Sequence, residues 1–254
     1  MNNLPVDLFY EEFGSGQVFI FIHGFPLDHT TWLPIANIMK EKVRCILPDV
    51  RGLGRSPITG TEATIPEMAA DVIRLMDRLN IQQAVISGHS MGGYIAMEMA
   101  HTYPDRVIGL GLIATRAAAD TPEKMAARLE SRREVLKNGR ASIIKSMAPR
   151  LTEQSALLPK LVRVMEKSDP RGIAMCQYAM VNRADATAWL KAINYPIVVA
   201  AGGRDVIIPE DELRQLSQEL KDGRFYYSPV ADHMLPIIEP ELIARALLET
   251  YVKD

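Results

Sequence analysis

The segment Gly88-His89-Ser90-Met91-Gly92 sets a serine between two glycines, each two residues away. A strand-like run, Ala84-Val85-Ile86, precedes it, and a helix-like stretch from Met91 to His101 follows. A serine on a sharp strand-to-helix turn has a strained backbone and an exposed hydroxyl. Side chains at the two flanking positions would collide with the adjoining strand and helix, so glycine suits both. The first N–H groups of the helix face the serine and favour negative charge beside it. Ser90 therefore reads as a candidate nucleophile. Five residues alone also fit a Gly-Ser turn before an ordinary helix, so partners must decide.

A serine hydroxyl needs a general base, and the base needs an orienting acid. Of five histidines, His89 adjoins the serine and should point away from it, His101 sits at a helix end, and His29 opens a helix. His23 lies in Ile22-His23-Gly24-Phe25-Pro26 and reads as holding that loop in shape. His233, in Ala231-Asp232-His233-Met234, remains as the base, on a loop between the last strand and the last helix. For the acid, Asp205 follows an apolar strand in Gly202-Gly203-Arg204-Asp205. The order Ser90, Asp205, His233 is that of a serine hydrolase on a parallel sheet. Asp232 and Asp120 are competing acids. Acyl transfer also requires oxyanion donors, and the backbone N–H groups of Met91 and Phe25 are the candidates.

Elements to position these groups are visible as alternating runs. Leu8 to Phe13, Val18 to Ile22, Val43 to Leu47, Ala84 to Ser87 and Val107 to Ile113 are strand-like, with helical patterns over Thr31 to Lys40, Pro66 to Leu79 and Met91 to His101. Such alternation predicts an α/β fold with a mostly parallel sheet covered by helices on both faces. Residues 116–185 hold only helical stretches: Pro122 to Lys137, Ala141 to Met147, Ser155 to Lys167 and Gly172 to Asn182. Pro149, Pro159 and Pro170 punctuate them near their boundaries. Strands resume at Pro196 to Ala201 and Arg224 to Tyr227, with helices at Glu210 to Leu220 and Pro240 to Tyr251. The simplest organisation is a core of residues 1–115 and 186–254 interrupted by a helical lid at 116–185.

The remaining composition narrows the function classes. A chain of 254 residues with 48% hydrophobic residues can bury a sizeable core, and a net charge of −2 gives no reason to expect nucleic acid. Cys45 and Cys176 sit in apolar surroundings and read as buried thiols. No H-E-x-x-H, paired-cysteine motif or strand-bounded G-x-G-x-x-G is present, so metal and dinucleotide chemistry find no support. Met1 to Pro5 lack the pattern of a signal peptide, and no apolar run approaches a membrane span. A cytoplasmic protein acting on a small molecule is expected.

The chain resembles the α/β-hydrolases of the serine esterase and enol-lactonase type. The resemblance rests on His23-Gly24-Phe25-Pro26-Leu27-Asp28, Pro48-Asp49 through Ser56, Gly88 through Gly93, Gly203-Arg204-Asp205 through Pro209, and Asp232-His233, in that order. It is similar to 3-oxoadipate enol-lactonases and small carboxylesterases. The resemblance implies an eight-stranded sheet, a helical lid at 116–185, no cofactor and no metal. Dehalogenase and epoxide-hydrolase relatives carry Asp where this chain has Ser90. The expected activity is hydrolysis of carboxylic esters or lactones. A carbon–carbon bond hydrolase or thioesterase uses the same triad, and a silent ligand-binding receptor is the alternative of another class.

Residues 116–185 carry fourteen Lys and Arg against eight Asp and Glu, a net of +6, while the rest carries fifteen against twenty-three, a net of −8. A basic lid fits attraction of an anionic substrate; the same charges also fit solvent-facing helix sides. Arg183 is the lid cation singled out for substrate contact, or else for a salt bridge to a neighbouring acid. Phe25 and Trp32 are expected as apolar pocket walls. Met125, Met147, Met165, Met175 and Met180 fit either an adaptable pocket roof or ordinary helix packing.

Overall fold

Two short strands, β1 (Tyr10–Phe13) and β2 (Val18–Ile22), open the computed structural model, which describes residues 4–252. In β2 successive side chains point to opposite faces. Phe19 and Phe21 therefore enter one buried layer, and Ile20 and Ile22 the other. The remaining strands are β3 (Arg44–Pro48), β4 (Ala84–His89), β5 (Val107–Ile113), β6 (Ile197–Gly202) and β7 (Gly223–Ser228). They form one sheet in the order β1-β3-β2-β4-β5-β6-β7, with β1 antiparallel to β3 and all other neighbours parallel.

Among the described residues the sheet has seven strands, not the eight expected. The segment before β1 adds none, and the expected strand at Leu8 starts only at Tyr10. The Val6 N–H goes to the Asp71 carboxylate (2.8 Å) and the Phe9 N–H to the Ser56 hydroxyl (2.9 Å). Amides satisfied by side chains are not available to a strand ladder. Of the N-terminal run read for a signal peptide, residues 1–3 lie outside the described range.

Helices cover both faces. After a 3-10 turn at His29–Trp32, α1 (Leu33–Met39) packs on the Phe19 and Phe21 face. α2 (Ile65–Arg78) and α3 (Met91–Thr102) pack on the Ile20 and Ile22 face. α2 starts where Thr64 and Glu67 cap each other's backbone N–H groups, satisfying two donors that the first helical turn leaves open. Between β5 and β6 the chain inserts α4 (Pro122–Asn138), α5 (Ala141–Leu151), α6 (Leu158–Lys167), α7 (Pro170–Val181) and α8 (Thr187–Ala192). Pro149 lies near the C-terminal boundary of α5, as expected, although the helix continues past Met147 to Leu151. A proline so close to the C-terminus costs a single backbone bond. α9 (Glu210–Glu219) returns to the sheet, and α10 (Leu235–Ile238) and α11 (Pro240–Tyr251) close the chain, α11 lying beside α1.

Strand register sets the site. Ile22 lies opposite Gly88, Gly88 opposite Leu112, Ile113 opposite Ala200, and Gly202 opposite Ser228. The loops after β2, β4, β5, β6 and β7 therefore leave the sheet along one edge, the edge where parallel α/β sheets assemble their sites.

Candidate active site

Ser90 stands between β4 and α3 with φ 51° and ψ −117°, a left-handed conformation rare for a residue with a side chain. It is held there by its N–H to Ile113 C=O (3.0 Å), by Gly93 N–H to its C=O (2.9 Å), and by the Thr115 hydroxyl to the same carbonyl (2.7 Å). A Cβ on Gly88 would stand 2.2 Å from Gly92 C=O, and one on Gly92 2.1 Å from Ile22 C=O, so both positions require glycine. Along residues 84–100 every residue is buried except Ser90.

His233 and Asp205 meet on the loops after β7 and β6. His233 Nδ1 lies 2.8 Å from Asp205 Oδ2, while Asp205 Oδ1 accepts the N–H groups of Ile207 (2.7 Å) and Ile208 (3.0 Å). Burial pushes the Asp205 carboxyl up. The charge and hydrogen bond of His233, with the two amides, outweigh it and hold the carboxyl below the ordinary carboxylate range. A carboxylate only accepts, so Nδ1 carries the proton and Nε2 of the neutral ring is free to act as a base. The competing acids are engaged elsewhere. Asp232 accepts from Thr152, Glu153 and Met234. Asp120 pairs with Arg183 and Arg128, both at 3.0 Å.

His89 and His23 brace the site from beneath. His89 Nε2 lies 2.8 Å from the His233 carbonyl and so donates to it. Burial, then the neighbouring His233, pushes His89 down to about 3, so its ring is neutral. His23 accepts the Val50 N–H at Nε2 (2.9 Å), so its Nδ1–H donates to Gly24 C=O (3.0 Å). Burial lowers its pKa against the opposing charge of Asp49. The loop is further closed by Leu27 N–H on Gly24 C=O (3.0 Å). A Cβ on Gly24 would lie 2.7 Å from His89 Nδ1 and 3.1 Å from Ser90 Cβ, which sets this loop directly beside the serine.

Phe25 follows Gly24 in that loop, and Met91 is the first residue of α3, where a backbone N–H has no partner within the helix. Neither N–H has a hydrogen-bond acceptor among the described residues. Phe25, Ser90 and His233 line one cavity of about 290 Å³. Its apolar wall includes Tyr94, Ile143, Met147, Leu151, Met180, Ile207 and Ile208, and its charged groups are Arg116, Asp120, Lys124, Arg128 and Arg150. Among the described residues no cluster of three His, Cys, Asp or Glu is arranged to hold a metal, and no helix is long and apolar enough to cross a membrane.

Two expected pocket residues stand elsewhere. Trp32 is wholly buried 5.0 Å from Phe21, in the layer on the Phe19 face of the sheet. Trp32 ends the 3-10 turn after β2, and which face of the sheet that turn packs against depends on tertiary contacts that its neighbours in sequence do not report. Arg183 is absent from the lining of the Ser90 cavity. It is buried, donates to Met180 C=O (2.9 Å) and Ala118 C=O (2.8 Å), pairs with Asp120, and lies over the Tyr94 ring at 4.2 Å. A buried guanidinium must be paired, and Asp120 meets that need. The residues not foreseen include the cavity cations Arg116, Lys124, Arg128 and Arg150 and the wall residue Tyr94. Tyr94 had a readable signal: four residues after Ser90, it shares the serine's side of α3.

Residues 17–240 match the model of the alpha/beta hydrolase fold.

The chain belongs to the α/β hydrolase fold family.

Relatives of this α/β hydrolase carry several activity names, among them esterase, enol-lactonase, carbamate hydrolase and non-heme bromoperoxidase. The solved structure of a thermophilic esterase from Thermogutta terrifontis, with malate bound, superposes with a TM-score of 0.92 at 33% identity, covering 95% of this chain and 92% of that one. A protein of Azorhizobium caulinodans, provisionally named carbamate hydrolase RutD, is 26% identical over 250 residues, 95% of this chain and 94% of its own. 3-Oxoadipate enol-lactonase 1 of Acinetobacter baylyi is 25% identical over 233 residues, 89% of this chain and 85% of its own.

Proposed function

We propose that this α/β hydrolase cleaves carboxylic esters or lactones through an acyl-enzyme on Ser90. The observation that carries the reading is the His233–Asp205 pair at 2.8 Å, with His233 and Ser90 opening onto one cavity. His233 Nε2 takes the hydroxyl proton as Ser90 Oγ attacks the carbonyl carbon. Negative charge then gathers on the carbonyl oxygen, where the N–H groups of Phe25 and Met91 receive it; one such donor contributes about 10²–10³ in rate. Collapse breaks the ester C–O bond, and the leaving oxygen takes the proton from His233. Water, deprotonated by the same imidazole, releases the acid and restores Ser90.

The helices α4 to α7, within residues 116–185, serve in this reading as a lid that chooses the substrate. Lys124 and Arg150 are exposed, line the cavity, and form no salt bridge among the described residues, which favours an ester with an anionic far end. The relatives named for esters, lactones and a carbamate define the substrate panel. In that panel Ser90→Ala abolishes turnover of every accepted substrate. Thioesters and carbon–carbon substrates, which the same triad also cleaves, complete it.

A further inference from the structure

The histidine loop is gripped by the helical insertion on both sides of His233. On one side, the buried Asp232 carboxylate accepts the Thr152 hydroxyl (2.7 Å) and the Glu153 N–H (3.1 Å) at the end of α5. Its other oxygen accepts the Met234 N–H (2.9 Å), folding the loop around His233. On the other side, Met234 is fully buried among Leu151, Leu157, Leu161 and Met165 of the insertion. Asp232 and Thr152 are 4% and 2% exposed, so these bonds form away from water, where a lost partner leaves a costly unsatisfied group. The His233 carbonyl is itself fixed from below by His89 (2.8 Å). The ring of His233 thus sits between a sheet-side brace and a lid-side clasp.

We propose that Asp232 and Thr152 are positioning residues that tie the placement of the lid to the aim of the His233 imidazole. The proposal rests on the reading of His233 as the general base. In it the lid does more than enclose substrate: its α5 end fixes the base, and displacement of that end misaligns proton transfer. Asp232, a competitor of Asp205 for the acid on sequence alone, acts one residue away from the base through the backbone.

Thr152→Val removes the hydroxyl and keeps the side-chain shape; Thr152→Ser keeps the hydroxyl. With p-nitrophenyl acetate, Thr152→Val is expected to lower kcat about tenfold to a hundredfold with KM within about twofold, the scale of a small misplacement of a reacting group. Thr152→Ser stays near wild type. The downfield proton resonance of His233 Nδ1–H shifts or broadens in Thr152→Val and not in Thr152→Ser. An unchanged kcat together with an unchanged resonance overturns the proposal, as does a loss that Thr152→Ser shares. If Thr152→Val does not fold, Asp232→Asn, which turns an amide toward the Glu153 N–H, carries the same readouts. Failure of the wild type to hydrolyse any ester counts against the function reading alone, because the resonance still reports the clasp.

Discussion

Asp205 and His233 stand 28 residues apart in the chain and 2.8 Å apart in space, Oδ2 to Nδ1. The carboxylate fixes the tautomer that leaves Nε2 open. Asp205→Asn presents an amide that can donate to Nδ1 and so favours the wrong tautomer. A kcat loss of about 10³–10⁴-fold is expected with little change in melting temperature. Steady-state kinetics beside a thermal melt separates the two, and a loss below tenfold would place the orienting acid elsewhere.

His89 makes stability depend on pH. The folded ring takes its proton only near pH 3, against 6.5 for the ordinary imidazole. Between these values the unfolded chain binds a proton that the folded chain refuses, so stability falls as pH drops from about 6.5 toward 3. His23, also buried with a lowered pKa, acts in the same direction. His29, whose pKa is raised beside Asp49, acts in the opposite one. Melting curves from pH 7 to pH 5 should therefore decline less steeply in His89→Asn than in wild type. Parallel declines would show that His89 does not refuse the proton.

Arg183 is expected to matter for folding and not for substrate. Its side chain and that of Asp120 are 3% and 1% exposed. Asp120→Ala leaves two guanidiniums without their carboxylate and should cost about 3–5 kcal/mol by urea denaturation, the range for breaking a buried pair. Arg183→Ala should cost less, because Arg128 still holds Asp120 at 3.0 Å. An Arg183→Ala protein of full stability with a raised KM would restore Arg183 as a substrate contact.

In the proposed reading, Lys124 and Arg150 take its place as the cations that would meet an anionic substrate. Replacing either with Gln should raise KM about twofold to fivefold for a half-ester of a dicarboxylic acid, the modest scale of exposed charges, and leave a neutral ester of equal length unchanged. Added salt should erase the difference. Equal effects on both esters would mean that these side chains only coat solvent-facing helix sides.

Strands were the most legible part of the chain. Val18–Ile22 and Val107–Ile113 have the bounds that their apolar runs announce, because parallel strands buried on both faces carry unbroken hydrophobic sequence. His233, Asp205 and Ser90 were proposed from chemistry plus order, and the fold brings Asp205 to His233 and opens His233 and Ser90 onto one cavity. What stayed hidden depends on partners distant in sequence. The Arg183–Asp120 pair spans 63 positions and the Asp232–Thr152 bond spans 80, and no local pattern reports either. Trp32 looks the same in sequence whether it faces a pocket or the opposite layer of the core. α8 was missed because six residues, Thr187–Ala192, are too few to display helical periodicity. The missing eighth strand turned on which side chains, Asp71 and Ser56, would claim backbone amides far from them in sequence.

Ser90 as an activated nucleophile is the step on which the proposed function turns. Its most direct test is to treat the wild-type protein and Ser90→Ala with a fluorophosphonate probe and map the adduct by mass spectrometry. One covalent adduct per chain is expected, on Ser90, formed in step with loss of p-nitrophenyl acetate hydrolysis, and none in Ser90→Ala. A folded wild-type protein that takes no adduct, or takes it equally in Ser90→Ala, would contradict it and favour a ligand-binding protein built on this fold.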